Sequence, residues 1–105
     1  MSHQETLNTI KSTVKSLLPD ARVLLFGSRA RGDYNKDSDF DVLVISKNSF
    51  PPKEKREWSG KIGSSLIDAL HVPFDIIFHS EEEVNAYKNY YGHIVRYAMK
   101  EAIEL

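Results

Sequence analysis

Two aspartates spaced i, i+2 lead into one apolar run, and a third interrupts a later one. Asp39 and Asp41 precede Val42-Leu43-Val44-Ile45, and Asp75 stands between Phe74 and Ile76-Ile77-Phe78. Alternate residues of a strand point to one face, so Asp39 and Asp41 project together and can share one ion or a pair of ions. A Gly-Ser pair, Gly27-Ser28, follows the apolar run Val23-Leu24-Leu25-Phe26 and is separated from Asp39 by ten residues. Parallel carboxylates on a rigid strand, beside a Gly-Ser turn that opens a helix, suit metal-bound phosphates. If the strand bearing Asp75 lies beside the one bearing Asp39 and Asp41, three carboxylates converge and repel one another unless cations are present. A divalent pair ~3.5–4 Å apart is the usual resolution and serves in-line phosphoryl or nucleotidyl displacement. Oxygen ligands at this density favour magnesium or manganese over zinc.

Each residue then has an expected role. Asp39 and Asp41 hold the metals; Asp75 ligates one of them and takes the proton from an attacking hydroxyl. Gly27 lets the backbone approach a triphosphate closely, and Ser28 with the following N–H groups grips the terminal phosphates at the helix start. Arg29 or Arg31 neutralises phosphate charge through its planar fork, although Arg31 can equally bond a carboxylate or a helix end. Two competing motifs fail on inspection. Asp33, Asn35, Asp37 and Asp39 imitate a calcium loop, but Ser38 stands where its glycine belongs and Val44 where its glutamate belongs. Gly27 and Gly32 imitate half of a P-loop, but Asp33 replaces its lysine. The four histidines show no ligand spacing.

The elements that must carry these residues can be read from periodicity. Ser2 to Glu5 has the S-x-x-E form of a capping box, and Leu7, Ile10, Val14, Leu17 and Leu18 recur at helical spacing up to Pro19. Arg22 to Phe26 reads as a buried strand, Ser28 to Gly32 as a short helical turn, and Asp33 to Ser38 as a polar loop. Phe40 to Ser46 is a second strand, apolar on both faces and therefore covered on both sides. Pro51-Pro52 suits the first turn of a helix striped by Trp58, Ile62, Leu66, Ala69 and Leu70. Val72 to Phe78 reads as a third strand, with Asp75 among apolar neighbours where a lone charge is expensive to bury. Ser80-Glu81-Glu82-Glu83 is a second capping box, and Tyr87, Tyr91, Ile94, Ala98 and Ala102 stripe a last helix with a break expected at Gly92. The order α-β-β-α-β-α implies an α+β or α/β domain with a small mixed sheet flanked by helices.

Composition narrows the class. A chain of 105 residues fits a single domain, residues 1–105, and its 41% hydrophobic content and formal charge of -1 are those of a soluble globular protein. That balance argues against strong nucleic-acid binding by broad phosphate neutralisation, while leaving a nucleotide substrate open. The absence of cysteine rules out disulfides and fits a cytoplasmic setting. No apolar stretch approaches the ~20 residues of a membrane span. Tyr87, Tyr90, Tyr91 and Tyr97 are spread too widely around one helix for all to be buried, which points to a partner surface.

Gly27-Ser28, ten residues, Asp39-x-Asp41 and a later strand Asp75 resemble the signature of the nucleotidyltransferase superfamily that includes DNA polymerase beta. The GSRARG form, the length and the C-terminal helix are most similar to its minimal nucleotidyltransferase (MNT-type) members. The resemblance covers nearly the whole chain. It implies metal-dependent transfer of a nucleoside monophosphate, AMP from ATP, to a hydroxyl acceptor, with Mg2+ or Mn2+ as cofactor. It also implies pairing with a separately encoded all-helical HEPN-type protein in a toxin–antitoxin system, where the transferase silences its partner by adenylylating a tyrosine. No R-x4–6-H ribonuclease motif is found in this chain. Little chain remains for an acceptor-binding domain, so a partner or a homo-oligomer must supply one. The alternatives are a non-catalytic antitoxin or regulatory subunit that acts by binding, and a small-molecule transferase of the aminoglycoside kind.

Overall fold

The computed structural model of the chain describes residues 2–105. Helix α1 (His3–Leu17) opens on the expected capping box: Ser2 Oγ accepts the Glu5 N–H at 3.1 Å, and the Glu5 carboxylate accepts the Ser2 N–H at 3.3 Å. Strand β1 (Arg22–Phe26) runs into the four-residue helix α2 (Ser28–Arg31), closed by Gly32 in the left-handed conformation. Strand β2 (Phe40–Ser46) precedes α3 (Pro52–Leu70), whose first turn holds Pro52, where a missing N–H leaves no bond unmade. Strand β3 (Phe74–Ser80), α4 (Glu81–Tyr87), α5 (Ile94–Glu101) and the two-residue strand β4 (Ile103–Glu104) complete the chain.

The sheet order is β3-β2-β1-β4. β1 pairs antiparallel with β2 and β4, and β2 pairs parallel with β3, so the sheet is mixed as expected. On one face Ile10, Val14, Ile62 and Leu66 of α1 and α3 cover Val23, Leu25, Val42 and Val44. On the other, Val84, Val95 and Ala98 of α4 and α5 cover Leu24, Phe26, Leu43 and Ile45. The double covering explains why β2 is apolar on both faces. Asp41 shares the parity of Leu43 and Ile45, so its side chain lies on the α4–α5 face. Among the described residues, no helix is long and apolar enough to cross a membrane.

The C-terminal helix carries the break expected at Gly92, and the break displaces the apolar stripe. Residues 88–93 break it into α4 and α5, with Gly92 at a φ of 79°. The break resets the helical phase, so Tyr91 and Ile94 are exposed, whereas Val95 and Ala98 are buried. Ala102 lies beyond the helix, and β4 then adds an edge strand against Leu24 and Leu25. β3 also starts at Phe74, two residues later than read, and extends to Ser80, which caps α4.

Ser80 closes a small electrostatic knot. The Glu83 carboxylate accepts the Ser80 N–H at 2.8 Å and Lys55 Nζ at 2.6 Å. Burial acts to raise the Glu83 pKa, but the bonds from Lys55 and Ser80 outweigh it and bring it down to about 2. A carboxyl depressed in the folded state contributes stability that is present above its ordinary value of 4.5 and is lost as pH falls toward about 2. Urea midpoints measured across that interval should fall for the wild type and less for Glu83→Gln, the difference reaching at most about 3 kcal/mol. Parallel pH profiles for the two proteins would remove Glu83 from the acid limb.

Candidate active site

The parallel ladder sets Asp41 directly opposite Asp75, and Asp39 sits in irregular backbone one residue before β2. The Phe40 N–H donates to the Pro73 carbonyl at 3.2 Å, carrying the strand pairing up to the mouth where Asp39 stands. Asp41 is half-buried, and its pKa is raised. Burial is the largest cause, followed by the charges of Asp75 and Asp39, a hydrogen bond shared with Asp75, and the charge of Glu101. Asp75 is exposed, contrary to the burial that its apolar neighbours suggested. It lies near the start of an edge strand, where one side of the sheet has no neighbour.

The three carboxylates gather at one end of the sheet without closing into a cage. Among the described residues, no three carboxylate or imidazole groups enclose a common point. Asp41 and Asp75 form a pair, and Asp39 adds its field from the strand mouth. Magnesium is usually held in this manner, by one or two carboxylates together with substrate phosphates. The donor set is all oxygen, and the mutual repulsion that helps raise the Asp41 pKa is of the kind a cation would screen. These residues fit a hard divalent ion.

Gly27 lies against Asp41 from the other side. Its φ of 72° and ψ of -159° belong to a region essentially restricted to glycine, and the Asp41 carboxylate occupies the space a Cβ would need. Ser28 follows as the first residue of α2, where helix N–H groups have no intrahelical partner.

The two arginines are both engaged. The Arg29 guanidinium donates to the Ser38 carbonyl at 3.2 and 3.0 Å and lies 4.3 Å from the centres of both the Tyr34 and Phe40 rings. It thereby staples the loop that carries Asp39. Inside that loop the Asn35 side chain accepts the Asp37 N–H at 2.8 Å, and Ser38 Oγ accepts the Asn35 N–H at 3.1 Å. Of the two roles open to Arg31, the structure shows carboxylate bonding: Nη1 donates to Glu101 at 2.9 Å and Nε to Asp33 at 3.2 Å.

Residues 7–105 match the nucleotidyltransferase domain family. The chain belongs to that family. It is 30% identical over 90 residues to MJ0604 of Methanocaldococcus jannaschii, covering 86% of this chain and 82% of that protein. It is 44% identical over 55 residues to MJ0141 of the same organism, covering 50% of this chain and 56% of that one. Both names assign protein adenylyltransferase activity; the match to MJ0141 spans about half of that relative's length. Among solved structures, one described as a minimal nucleotidyltransferase superposes over the full length of both chains, with a TM-score of 0.64 and 30% identity. A chain from the complex of a tri-AMPylated Shewanella oneidensis HEPN toxin with its MNT antitoxin shares the fold, with a TM-score of 0.62 and 16% identity. That match covers 98% of this chain and 71% of the other.

One residue at this candidate site carries no local sequence signal. Glu101, at the end of α5, accepts the Gly27 N–H at 3.0 Å although 74 residues separate the two. Its carboxyl is held below the ordinary range by the Arg31 guanidinium, with the Gly27 N–H adding to the effect. Only the pairing of β4 with β1, itself unread in the sequence, would have brought the end of α5 to the Gly-Ser turn.

Proposed function

We propose that this nucleotidyltransferase domain moves AMP from ATP to a hydroxyl on a partner protein of the HEPN type, with magnesium or manganese bound at Asp39, Asp41 and Asp75. One observation carries the reading: Asp41 and Asp75 face each other on adjacent parallel strands, directly against the Gly27 turn. When bound, the divalent ion neutralises phosphate charge and polarises the phosphorus under attack. The chain's own residues do the rest. Ser28 Oγ and the first N–H groups of α2 hold the terminal phosphates. Arg31 approaches them with its remaining amino group, and Arg29 keeps Asp39 in place through Ser38. Asp75, open to solvent, receives the proton of the incoming hydroxyl. The acceptor oxygen then bonds to the α-phosphorus as the bond to pyrophosphate breaks.

An acceptor protein has a surface on which to dock. Tyr90, Tyr91, Ile94 and Tyr97 are all exposed, at 59%, 88%, 47% and 52%, within eight residues. Lys88, Arg96 and Lys100 belong to the same stretch, with the Arg96 guanidinium 4.3 Å from the Tyr91 ring centre, and residues 84–100 contain no acidic side chain. Tyrosine and arginine anchors of this kind dominate protein interfaces. This face belongs to the same side of the sheet as Asp41.

The test incubates the protein with α-labelled ATP, magnesium and an all-helical HEPN-type partner protein. Label should move to a tyrosine of that protein, and Asp39→Asn should prevent it. A partner that binds stably but remains unlabelled would replace this reading with neutralisation by binding alone.

A further inference from the structure

We propose that Glu101 is a positioning residue for the transfer reaction, fixing the Gly27 turn with one carboxylate oxygen and aiming Arg31 at the nucleotide phosphates with the other. The proposal rests on the transfer reading above and assigns a function to the C-terminal helix. Glu101 Oε1 accepts the Gly27 N–H at 3.0 Å, and Oε2 accepts Arg31 Nη1 at 2.9 Å. Arg31 is thus gripped on two sides, by Glu101 through Nη1 and by Asp33 through Nε, which leaves Nη2 without a hydrogen bond among the described residues. A guanidinium is a rigid plane with five donors, so fixing two of its nitrogens fixes the direction of the third. Gly27 adopts a backbone conformation in which its N–H must be satisfied from outside the strand, and a side chain from α5 satisfies it.

Glu101 is not required to hold the C-terminal segment in place. Val95 and Ala98 already bury α5 against the sheet, and β4 pairs with Leu24 and Leu25. The Leu105 N–H donates to the Val23 carbonyl at 2.8 Å, and Arg22 pairs with Glu104 at 2.7 Å. The Arg31–Glu101 pair itself is solvent-accessible, with side-chain exposures of 48% and 31%, and such pairs contribute little to stability. An acidic side chain beside a triphosphate site would be unfavourable unless it did something there. Here its charge is spent on Arg31 while its geometry serves the turn.

The experiment compares wild type, Glu101→Gln, Glu101→Ala, Arg31→Ala and the double variant Arg31→Ala/Glu101→Ala, with thermal melts confirming that each folds. Glu101→Ala should raise the KM for ATP and lower kcat/KM on the order of 10- to 100-fold, the loss expected from misplacing groups that orient a substrate. Glu101→Gln, which keeps acceptor oxygen on Gly27, should recover most of kcat but not the full KM, because Arg31 loses its charged partner. The double variant should be no worse than the worse single variant, since both act through one linkage. A Glu101→Ala protein with a lowered melting temperature but wild-type kcat and KM would overturn the proposal, as would strictly additive losses in the double variant. If wild type neither binds ATP nor transfers label, the transfer reading fails instead, and the two failures are distinct.

Discussion

Asp41→Asn should lose nucleotidyl transfer by about a thousandfold or more and, in the metal-free protein, melt at a higher temperature than wild type. The first effect follows from the position of Asp41, which alone of the three acids touches both halves of the site. It faces Asp75 across the parallel ladder and fills the space above Gly27. Removing a ligand that neutralises phosphate charge in the transition state forfeits several kcal/mol, or about three powers of ten in rate. The second effect comes from electrostatics. Burial, Asp75 and Asp39 raise the Asp41 pKa, so the folded protein binds this proton more tightly than the unfolded chain. Stability contributed in that way is present below the ordinary carboxylate range and is lost as pH rises through the raised value. Asparagine carries no charge and can donate a hydrogen bond to Asp75, so the difference in melting temperature should widen with increasing pH in chelator. Magnesium with nucleotide should reverse the order by stabilising only the wild type. Wild-type turnover in the variant would remove Asp41 from the chemistry. A variant less stable than wild type at every pH would mean that repulsion among the acids is not what the fold endures.

The parts of this site visible in the sequence are those encoded by short-range pattern. β2 could be found because two helical layers require both of its faces to be apolar, leaving Asp41 as the exception. Both capping boxes were legible because the reciprocal bonds of Ser2 with Glu5 and of Ser80 with Glu83 span only three residues. The pairing of Asp41 with Asp75 required one further assumption, that the third strand lies beside the second, and the ladder bears it out. What stayed hidden depends on long-range register. Two residues, Ile103 and Glu104, are too few to show a strand periodicity, yet their pairing with β1 places Glu101 at the Gly27 turn. The exposure of Asp75 was unreadable for a related reason, since apolar neighbours reveal a covered face but not that the strand lies at the sheet edge. Arg29 shows the limit of residue type as a guide. A guanidinium two residues after a glycine turn suggests a phosphate contact, but not that it packs between Tyr34 and Phe40 and bonds to the Ser38 carbonyl. The aromatic partners were in plain view, but nothing in their spacing said that a loop would fold back over the helix.

Gly27→Ala should be the most damaging single-methyl change in the chain, and Gly32→Ala is its internal control. Both glycines have positive φ, 72° and 89°, so both substitutions force an L-residue into a strained backbone region. They differ in what a Cβ would meet. At Gly32 nothing lies within 4 Å, whereas at Gly27 the new carbon would overlap the Asp41 carboxylate, including Oδ2 and Cγ. Gly32→Ala therefore carries backbone strain alone, about 1–2 kcal/mol. Gly27→Ala adds overpacking to strain, about 2–5 kcal/mol in total. For a domain of this size such a loss lowers the melting temperature by roughly 10 °C or more. The alternative to unfolding is for Asp41 to swing away, and that relieves the overlap by separating it from Asp75. Activity should accordingly fall by at least the hundredfold typical of a misplacement near 1 Å, even at temperatures where the variant remains folded. Melting curves and transfer rates for both alanine variants, measured side by side, separate the two contributions. If Gly27→Ala melted within a few degrees of Gly32→Ala and retained transfer, the close approach of the turn to Asp41 would not be a requirement of the site. A double variant, Gly27→Ala with Asp41→Gly, should recover only the part of the loss that comes from overlap, and no activity, because it vacates the space that the added methyl needs while the backbone strain at position 27 remains and the carboxylate the reaction needs is gone.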